Sequence, residues 1–375
     1  MEKEIMYLPG DIKELRVLGR TGKSRNPLVL FWTGSGVELC YEGTELWCEF
    51  ESDYSCYEQW IAVYVNGALL TRQMLQKGKQ KVCLFRNLQT KKVNHVKVVK
   101  EVQAMPGDEE AYLAIHAFYG DGTFCKVPEP KCRIEFIGDS ITSGEGSYGS
   151  TEEQDWVAMW FSATQAYPHM VAKRLNADCR VFSQSGYGVY CAYDNNLDHV
   201  IPKYYEQVCG VLTGKRNEEL GAHEAHDFSS WQPDYIVINL GTNDGGAFHN
   251  PEWQDEATGR TNKMVADETG APAKECLLKV QGAVTDFLRT VRKNNGAAQI
   301  IWAYGMMGTV VESAIKEGIA AYVKESDDKK IRYITLNEIK DEQIGARSHP
   351  GVLGHEATAE MICNKIAELQ KEEEV

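Results

Sequence analysis

Hydrophobic and polar positions follow two different rhythms along this chain, and the change falls near Pro128-Glu129-Pro130. Before that point, β-branched and aromatic runs at 28–32, 37–41, 46–50, 61–65, 82–85 and 95–100 are separated by turn residues. Asn66-Gly67 sits between two such runs and predicts a tight hairpin, because both residue types tolerate the positive φ that two-residue turns require. Lys97 and Lys100 punctuate the last run and are expected on the exposed face of a strand. Short strands at this spacing predict a β-sandwich, jelly-roll-like in outline, over residues 1–130.

After residue 130 the rhythm becomes strand, then helix, repeatedly. Near-continuous apolar runs at 132–137, 179–183, 235–240, 299–303 and 331–336 read as strands. Leu277, Val280, Val284, Phe287, Leu288 and Val291 recur at helical spacing, as do Ala359, Ile362, Ile366 and Leu369 nearer the end. Strands apolar on both faces must be covered on both, which predicts a parallel sheet in an α/β/α sandwich over residues 131–375. The fold class is therefore α/β with an all-β front. In such sheets the working residues sit at the carboxyl ends of the strands.

Charge and cysteine usage narrow the choice of partner. Lys and Arg number 40 against 54 Asp and Glu, a net charge of −14. Nucleic acid and anionic membrane both call for a basic footprint, so neither is an expected partner. No apolar run reaches the length of a membrane span. The 11 cysteines are scattered without a CxxC pair, and residues 1–9 carry no apolar stretch of signal-peptide type. A reduced, cytoplasmic protein is expected. The nearest thing to a metal cluster, His223-Glu224-Ala225-His226-Asp227, reads as an exposed polar loop, so neither metal nor organic cofactor is expected. Residues 371–375 form an acidic tail.

Four strand ends or loops carry candidate chemistry. The first apolar strand of the second half runs into Gly138-Asp139-Ser140-Ile141-Thr142-Ser143-Gly144. A serine directly past a buried strand is placed to face a cleft as a nucleophile, although Asp139 or Ser140 can equally be a helix N-cap. The second strand ends in Ser183-Gln184-Ser185-Gly186-Tyr187-Gly188, where glycine lets a backbone N–H approach a ligand, or simply makes a turn. The third ends in Gly241-Thr242-Asn243-Asp244. Asn243 there offers a neutral donor to a developing oxyanion, or bonds its own backbone in an Asx turn. After the last strand comes Ser348-His349-Pro350, and the proline keeps the preceding backbone extended so the imidazole can project. Gly144-Glu145-Gly146-Ser147-Tyr148-Gly149 matches the dinucleotide fingerprint by letter, but the strand end it needs is already used by Gly-Asp-Ser.

Taken together and in this order, the four blocks resemble those of the SGNH (GDSL-type) hydrolase superfamily, over roughly 132 to the end. With a β-sandwich in front, and Gly19-Arg20 paired with Trp32-Thr33-Gly34-Ser35-Gly36, the whole chain resembles carbohydrate esterase family 2. The resemblance implies Ser140 as nucleophile and His349 as its base. It also implies an oxyanion hole of Gly186, Asn243 and the backbone N–H of Ser140. The superfamily usually has an aspartate three residues before the histidine, and here that position is Ala346, with Asp341 and Glu342 off register. Family 2 implies instead a Ser–His dyad whose imidazole is oriented by a backbone carbonyl. Its activity would be removal of O-acetyl groups from manno- or xylo-oligosaccharides through an acetyl-enzyme. Rival readings are a lipid, thioester or sialate esterase on the same scaffold, or a carbohydrate-binding protein without catalysis. Long polar insertions at 144–165 and 245–275 suit a substrate cleft. Within or near them, Trp160, Tyr187, Trp253 and Trp302 are the candidate sugar-binding aromatics, with Trp156 and Trp160 alternatively forming one apolar helix face. Oligomeric state is not legible.

Overall fold

The computed structural model describes residues 4–373; Met1–Lys3 and the last two residues of the acidic tail lie outside them. Among the described residues the front of the chain forms β1 (Ile5–Tyr7), β2 (Arg16–Leu18), β3 (Leu28–Val29), β4 (Gly36–Gly43), β5 (Leu46–Asp53), β6 (Trp60–Val65), β7 (Ala68–Met74), β8 (Gly78–Phe85), β9 (Lys92–Lys100), β10 (Tyr112–Gly120) and β11 (Thr123–Cys125). They make two antiparallel sheets. One runs β1-β10-β5-β8 with β3 also on β10, and the other runs β11-β4-β9-β6-β7 with β2 on β4. Alternation drives the packing: Leu46, Cys48 and Phe50 of β5 point inward while Trp47, Glu49 and Glu51 are only half-buried. The two inner faces meet over Leu39, Tyr41, Phe50, Ile61, Val63, Val98 and Phe118.

The Asn66-Gly67 turn is present, with φ of 52° and 82° at its two residues. Lys100 departs from expectation. It is buried, and its Nζ donates to the carbonyls of Phe31 (2.8 Å) and Leu30 (3.3 Å). The last residue of β9 has left the solvent face because the 28–32 segment folds over it.

The second half contains β12 (Cys132–Gly138), β13 (Ala177–Ser183), β14 (Tyr235–Asn239), the hairpin β15 (Trp253–Gln254) with β16 (Thr261–Asn262), β17 (Gln299–Tyr304) and β18 (Ile331–Thr335). The five long strands form a parallel sheet in the order β13-β12-β14-β17-β18. Its helices are α1 (Ser140–Ser143), α2 (Tyr167–Leu175), α3 (Ile201–Tyr204), α4 (Lys215–Glu219), α5 (Thr242–Gly246), α6 (Lys274–Asn294), α7 (Glu312–Ser326) and α8 (Val352–Glu373). Val280 and Val284 of α6 and Ile315 of α7 cover one face, over Ile236, Ile238 and Ile300. Val171 of α2 and Ile362 and Ile366 of α8 cover the other, over Phe136, Val237 and Ile301. Trp156 and Trp160 do not share a helix face, because 158–160 is a single 3₁₀ turn.

From β12 the chain goes outward to β13, then crosses back to β14 on the opposite side. Ligand crevices in open α/β sheets form where the strand order reverses, outside the carboxyl ends. Here that point lies between β12 and β14. The front sandwich packs beside it. Trp32 donates its Nε1–H to the Val208 carbonyl (2.7 Å), and Phe31 and Trp32 share one apolar cluster with Ile137, Phe182 and Tyr205. Arg20 is buried against Glu135 of β12 (2.9 Å), with the Phe182 and Tyr205 rings at 4.4 and 4.8 Å from its guanidinium carbon.

Candidate active site

Ser140 opens α1 directly after β12, and its backbone is fixed by Asp139, whose Oδ1 accepts the Ile141 N–H (3.1 Å). The capping role and the candidate nucleophile thus coexist on neighbouring residues, with Ser140 itself largely buried. His349 lies 2.9 Å away through Nε2 to the serine Oγ. Its Nδ1 lies 2.9 Å from the Arg347 carbonyl oxygen. A carbonyl can only accept, so Nδ1 carries the proton and Nε2 presents its lone pair to the serine hydroxyl. Asp341 and Glu342 are exposed and make no bond to the imidazole. Ala346 is buried, and the residue after it supplies the acceptor instead.

The loop that carries this carbonyl is unusual. Arg347 and Ser348 both have a φ of 56°, in the left-handed region that non-glycine residues seldom occupy. Arg347 donates its N–H to Glu153 O (2.8 Å), its Nε–H to Glu145 Oε1 (2.8 Å) and an Nη1–H to Gln154 O (2.9 Å). Glu145 is itself buried, follows Ser140 by five residues, and lies 3.9 Å from His349 Nε2 through the same oxygen.

Gly186, after β13, has a φ of 80°, and a Cβ there would meet the Tyr193 ring at 3.2 Å. Its loop is pinned from both sides. Gln103, from the sandwich half, accepts the Ser185 N–H and hydroxyl (2.9 Å each). Asp244 accepts the N–H groups of Val189, Tyr190 and Cys191 at 2.9, 2.7 and 3.1 Å. Asn243, on α5 after β14, donates its amide to Tyr187 O (2.9 Å) and, more loosely, to Asp139 Oδ2 (3.3 Å). Ser140, Gly186, Asn243 and His349 therefore converge at the switch point.

Asp139 is fully buried beneath Ser140, and burial pushes its carboxyl up to about 8. The Ile141 N–H opposes this, while the nearby Asp244 and Glu145 carboxylates add to it. At neutral pH it is mostly an uncharged acid, so no full negative charge sits beside the Asn243 amide. Burial raises Asp244 as well, against the pull of three backbone donors.

Two of the expected aromatics are elsewhere. Trp302 is completely buried in β17, with its Nε1–H on Leu240 O (3.1 Å), because both faces of a central strand are covered. Tyr187 is buried, and one ring face is stacked on His199 at 5.0 Å. Neither offers a free face to a sugar. Trp160 is half-buried, beside Gly149 and near the Ala346 side of the histidine loop. Trp253 is half-buried on the β15–β16 hairpin, with the Arg260 guanidinium at 5.5 Å. The aromatic that the sequence did not single out is Tyr193, half exposed directly over Gly186. Where the sandwich half meets the 144–165 insertion, the Arg72 guanidinium carbon lies 4.4 Å from the Trp60 ring and 4.3 Å from the Tyr148 ring. Arg72 also donates to Phe161 O (2.8 Å) and Met159 O (2.9 Å) in the 144–165 insertion. Among the described residues no cluster of His, Cys, Asp or Glu has metal-binding geometry, and His223 and Asp227 are exposed. A cavity of about 570 Å³ does open in the sheet, but at the amino ends of the strands, lined by Lys131, Asp234 and Gln299, away from the dyad.

The sequence profile of the GDSL-like lipase/acylhydrolase family matches residues 136–357. The chain belongs to that family. Its structure resembles that of an acetyl xylan esterase, Est2A, from the rumen bacterium Butyrivibrio proteoclasticus, at 42% identity, TM-score 0.96, 98% of this chain and 99% of that one. It also resembles a family two carbohydrate esterase from Clostridium thermocellum, solved in complex with cellohexaose, at 26% identity, TM-score 0.77, 95% of this chain and 99% of that one. These full-length likenesses put it with the family 2 carbohydrate esterases, a class of carboxylic ester hydrolases. In sequence it is 27% identical over 343 residues to the cellulase/esterase CelE of Acetivibrio thermocellus, covering 89% of this chain; it spans 37% of that relative's length. No helix among the described residues is long and apolar enough to cross a membrane.

Proposed function

We propose that the chain is a carbohydrate O-acetylesterase acting on manno- or xylo-oligosaccharides through an acetyl-enzyme. The observation that carries the mechanism is the pair of 2.9 Å contacts on His349, one to Ser140 Oγ and one to the Arg347 carbonyl. Together they leave Nε2 basic and aimed at the hydroxyl. Ser140 attacks the acetyl carbonyl as His349 takes its proton; His349 then gives that proton to the sugar oxygen as its bond to the acyl carbon breaks, so the sugar leaves as a free hydroxyl. A water, deprotonated in turn by His349, attacks the acetyl-serine; acetate is released as the bond to Ser140 Oγ breaks, and His349 returns the proton to that oxygen. The tetrahedral oxyanion is met by the N–H groups of Ser140 and Gly186 and by the Asn243 amide proton that now rests on Asp139 at 3.3 Å. Activity falls toward acid pH, because only the neutral imidazole can accept the serine proton.

The sugar is read by the groove beside the dyad, where Tyr193 and Trp160 are the aromatic surfaces. The likeness to a carbohydrate esterase solved with cellohexaose supports an extended oligosaccharide there. The chain divides into a sandwich over residues 1–130 and a hydrolase unit over 131–375, a reading supported by the gap between β11 and β12. All 11 cysteines are free, which supports action in a reducing compartment such as the cytoplasm, on imported fragments.

The test is NMR-monitored deacetylation of mixed acetylated manno- and xylo-oligosaccharides by the wild type and by Ser140→Ala, with long-chain acyl esters as the competing substrates. Acetate release that disappears in the folded variant supports the reading. Turnover retained by Ser140→Ala removes Ser140 from the mechanism, and preference for long-chain esters overturns the substrate class.

A further inference from the structure

The dyad lacks an aspartate behind its histidine, and the Arg347 carbonyl takes the acceptor's place at Nδ1. The structure assigns that task to one ion pair: we propose that Glu145 and Arg347 are the positioning residues of the dyad, Arg347 aiming the carbonyl that orients His349 and Glu145 supplying the negative charge that favours its protonated form. The proposal rests on the dyad reading above.

Three observations carry it. The first is conformational. The carbonyl reaches Nδ1 only because Arg347 and Ser348 are both left-handed, a conformation that persists only where surrounding contacts over-determine it. The second is the set of contacts that does so. Arg347 is tied down at its backbone N–H, its Nε and its Nη1, to three residues of the 144–165 insertion. Ala346 N–H adds a bond to Gly146 O (3.0 Å). These contacts all end on the 144–165 insertion, which follows α1 and its Ser140 directly, so nucleophile and base are registered to one another through this pair. The third is electrostatic. Glu145 Oε1 lies 3.9 Å from His349 Nε2, on the reacting side of the ring rather than behind it. The Glu145 N–H donates to Ser140 O (3.0 Å), which holds that carboxylate relative to the nucleophile.

Charged and titratable groups face His349 from each neighbouring element. Glu145 comes from the nucleophile loop and Arg347 from the histidine's own loop. Asp139 lies beneath Ser140. His355, in the first turns of α8, is fully buried, and burial lowers it to about 3, with His349 adding to the effect. It is therefore neutral across the working range. Asp139 changes charge only near its own raised value. Glu145 is the carboxylate left to balance an imidazolium, and it is buried against the Arg347 guanidinium at 2.8 Å.

The experiment uses Arg347→Gly and Glu145→Gln. Glycine accepts the left-handed backbone, so Arg347→Gly removes the anchor without adding strain. Expected for Arg347→Gly is a loss of kcat of about tenfold or more at unchanged KM, partly restored by millimolar guanidinium. Expected for Glu145→Gln is a displacement of the acid limb of the pH–rate profile to lower pH, because an uncompensated Arg347 cation then disfavours the imidazolium. The ring resonances of His349, followed by NMR against pH, should move their titration midpoint the same way whether or not the substrate has been identified. If both variants fold, keep kcat within twofold and leave the His349 titration in place, the pair is only structural and the proposal fails. Failure of wild-type acetate release would instead overturn the functional reading, with the NMR titration still deciding this one.

Discussion

Asp139 makes the sharpest prediction, because its position turns a local pKa into a rate. It is fully buried, accepts one backbone N–H, and lies 3.3 Å from the amide that is to meet the oxyanion. When the acid ionises, a full negative charge appears beside a site that must stabilise another. With a midpoint near 8, the neutral fraction is about 0.9 at pH 7 and about 0.1 at pH 9, so kcat should fall about tenfold between them. The sign is fixed by burial: the group loses its proton as pH rises, so this is a basic limb, separate from the acid limb of His349. Asp139→Asn keeps a carbonyl for the Ile141 N–H, gives up the loose contact to Asn243, and cannot ionise. Its kcat at pH 7 should lie within about tenfold of wild type, with a flat profile to pH 9.5. The assay is initial-rate acetate release over pH 5–9.5, corrected for spontaneous hydrolysis. A basic limb that survives unchanged in Asp139→Asn, or a wild-type profile with no limb, would refute the reasoning.

Asn243→Ala should lower kcat by about 10²–10³, or about 2.7–4 kcal/mol of barrier, if the amide is an oxyanion donor; a change under tenfold means it serves only to hold the Tyr187 carbonyl. Asp341→Asn should leave kcat/KM nearly untouched, since the side chain is exposed and the Arg347 carbonyl occupies Nδ1; a loss near 10⁴ would reveal a true third member. Arg20→Ala strands the Glu135 carboxylate in a buried site and should cost about 3–5 kcal/mol in urea unfolding. A cost below about 1 kcal/mol would show that water or Tyr205, whose hydroxyl donates to Glu135 (2.6 Å), satisfies it alone.

What the sequence made legible follows from how each signal is carried. The five parallel strands were readable because a strand covered on both faces is apolar at every position, and the observed bounds differ by a residue or two. The same reason misplaced Trp302: a large aromatic at the end of such a strand has no free face. β7 was not among the runs read, because this edge strand has no inward alternation; Leu69, Leu70 and Met74 are all exposed. Lys100 was misread because charge alone does not tell whether a strand's last residue faces water or a neighbouring segment's carbonyls. At the site, Ser140, Asn243 and His349 were visible as side chains after strands. That a backbone carbonyl orients His349 followed only from the family resemblance; which carbonyl it is does not show in the sequence, since it is set by two left-handed residues, and nothing in the letters Arg-Ser announces a φ of 56°. Tyr193 could have been noticed as an aromatic seven residues past Gly186, but its position over that glycine depends on how the loop returns.

The apolar cluster that joins Phe31 and Trp32 to Ile137, Phe182 and Tyr205 belongs to neither half of the chain alone. Gln103, from the connection between β9 and β10, and Arg72 of β7 also reach from the front half into the loops around the dyad. An accessory module joined by a flexible tether can be exchanged between proteins without retuning its neighbour. This sandwich cannot, since its removal would bare an oily surface and leave the Gly186 loop without one of its pins. Shuffling at residue 130 would therefore require compensating changes on both sides of the junction, and heating should melt the whole chain in a single transition.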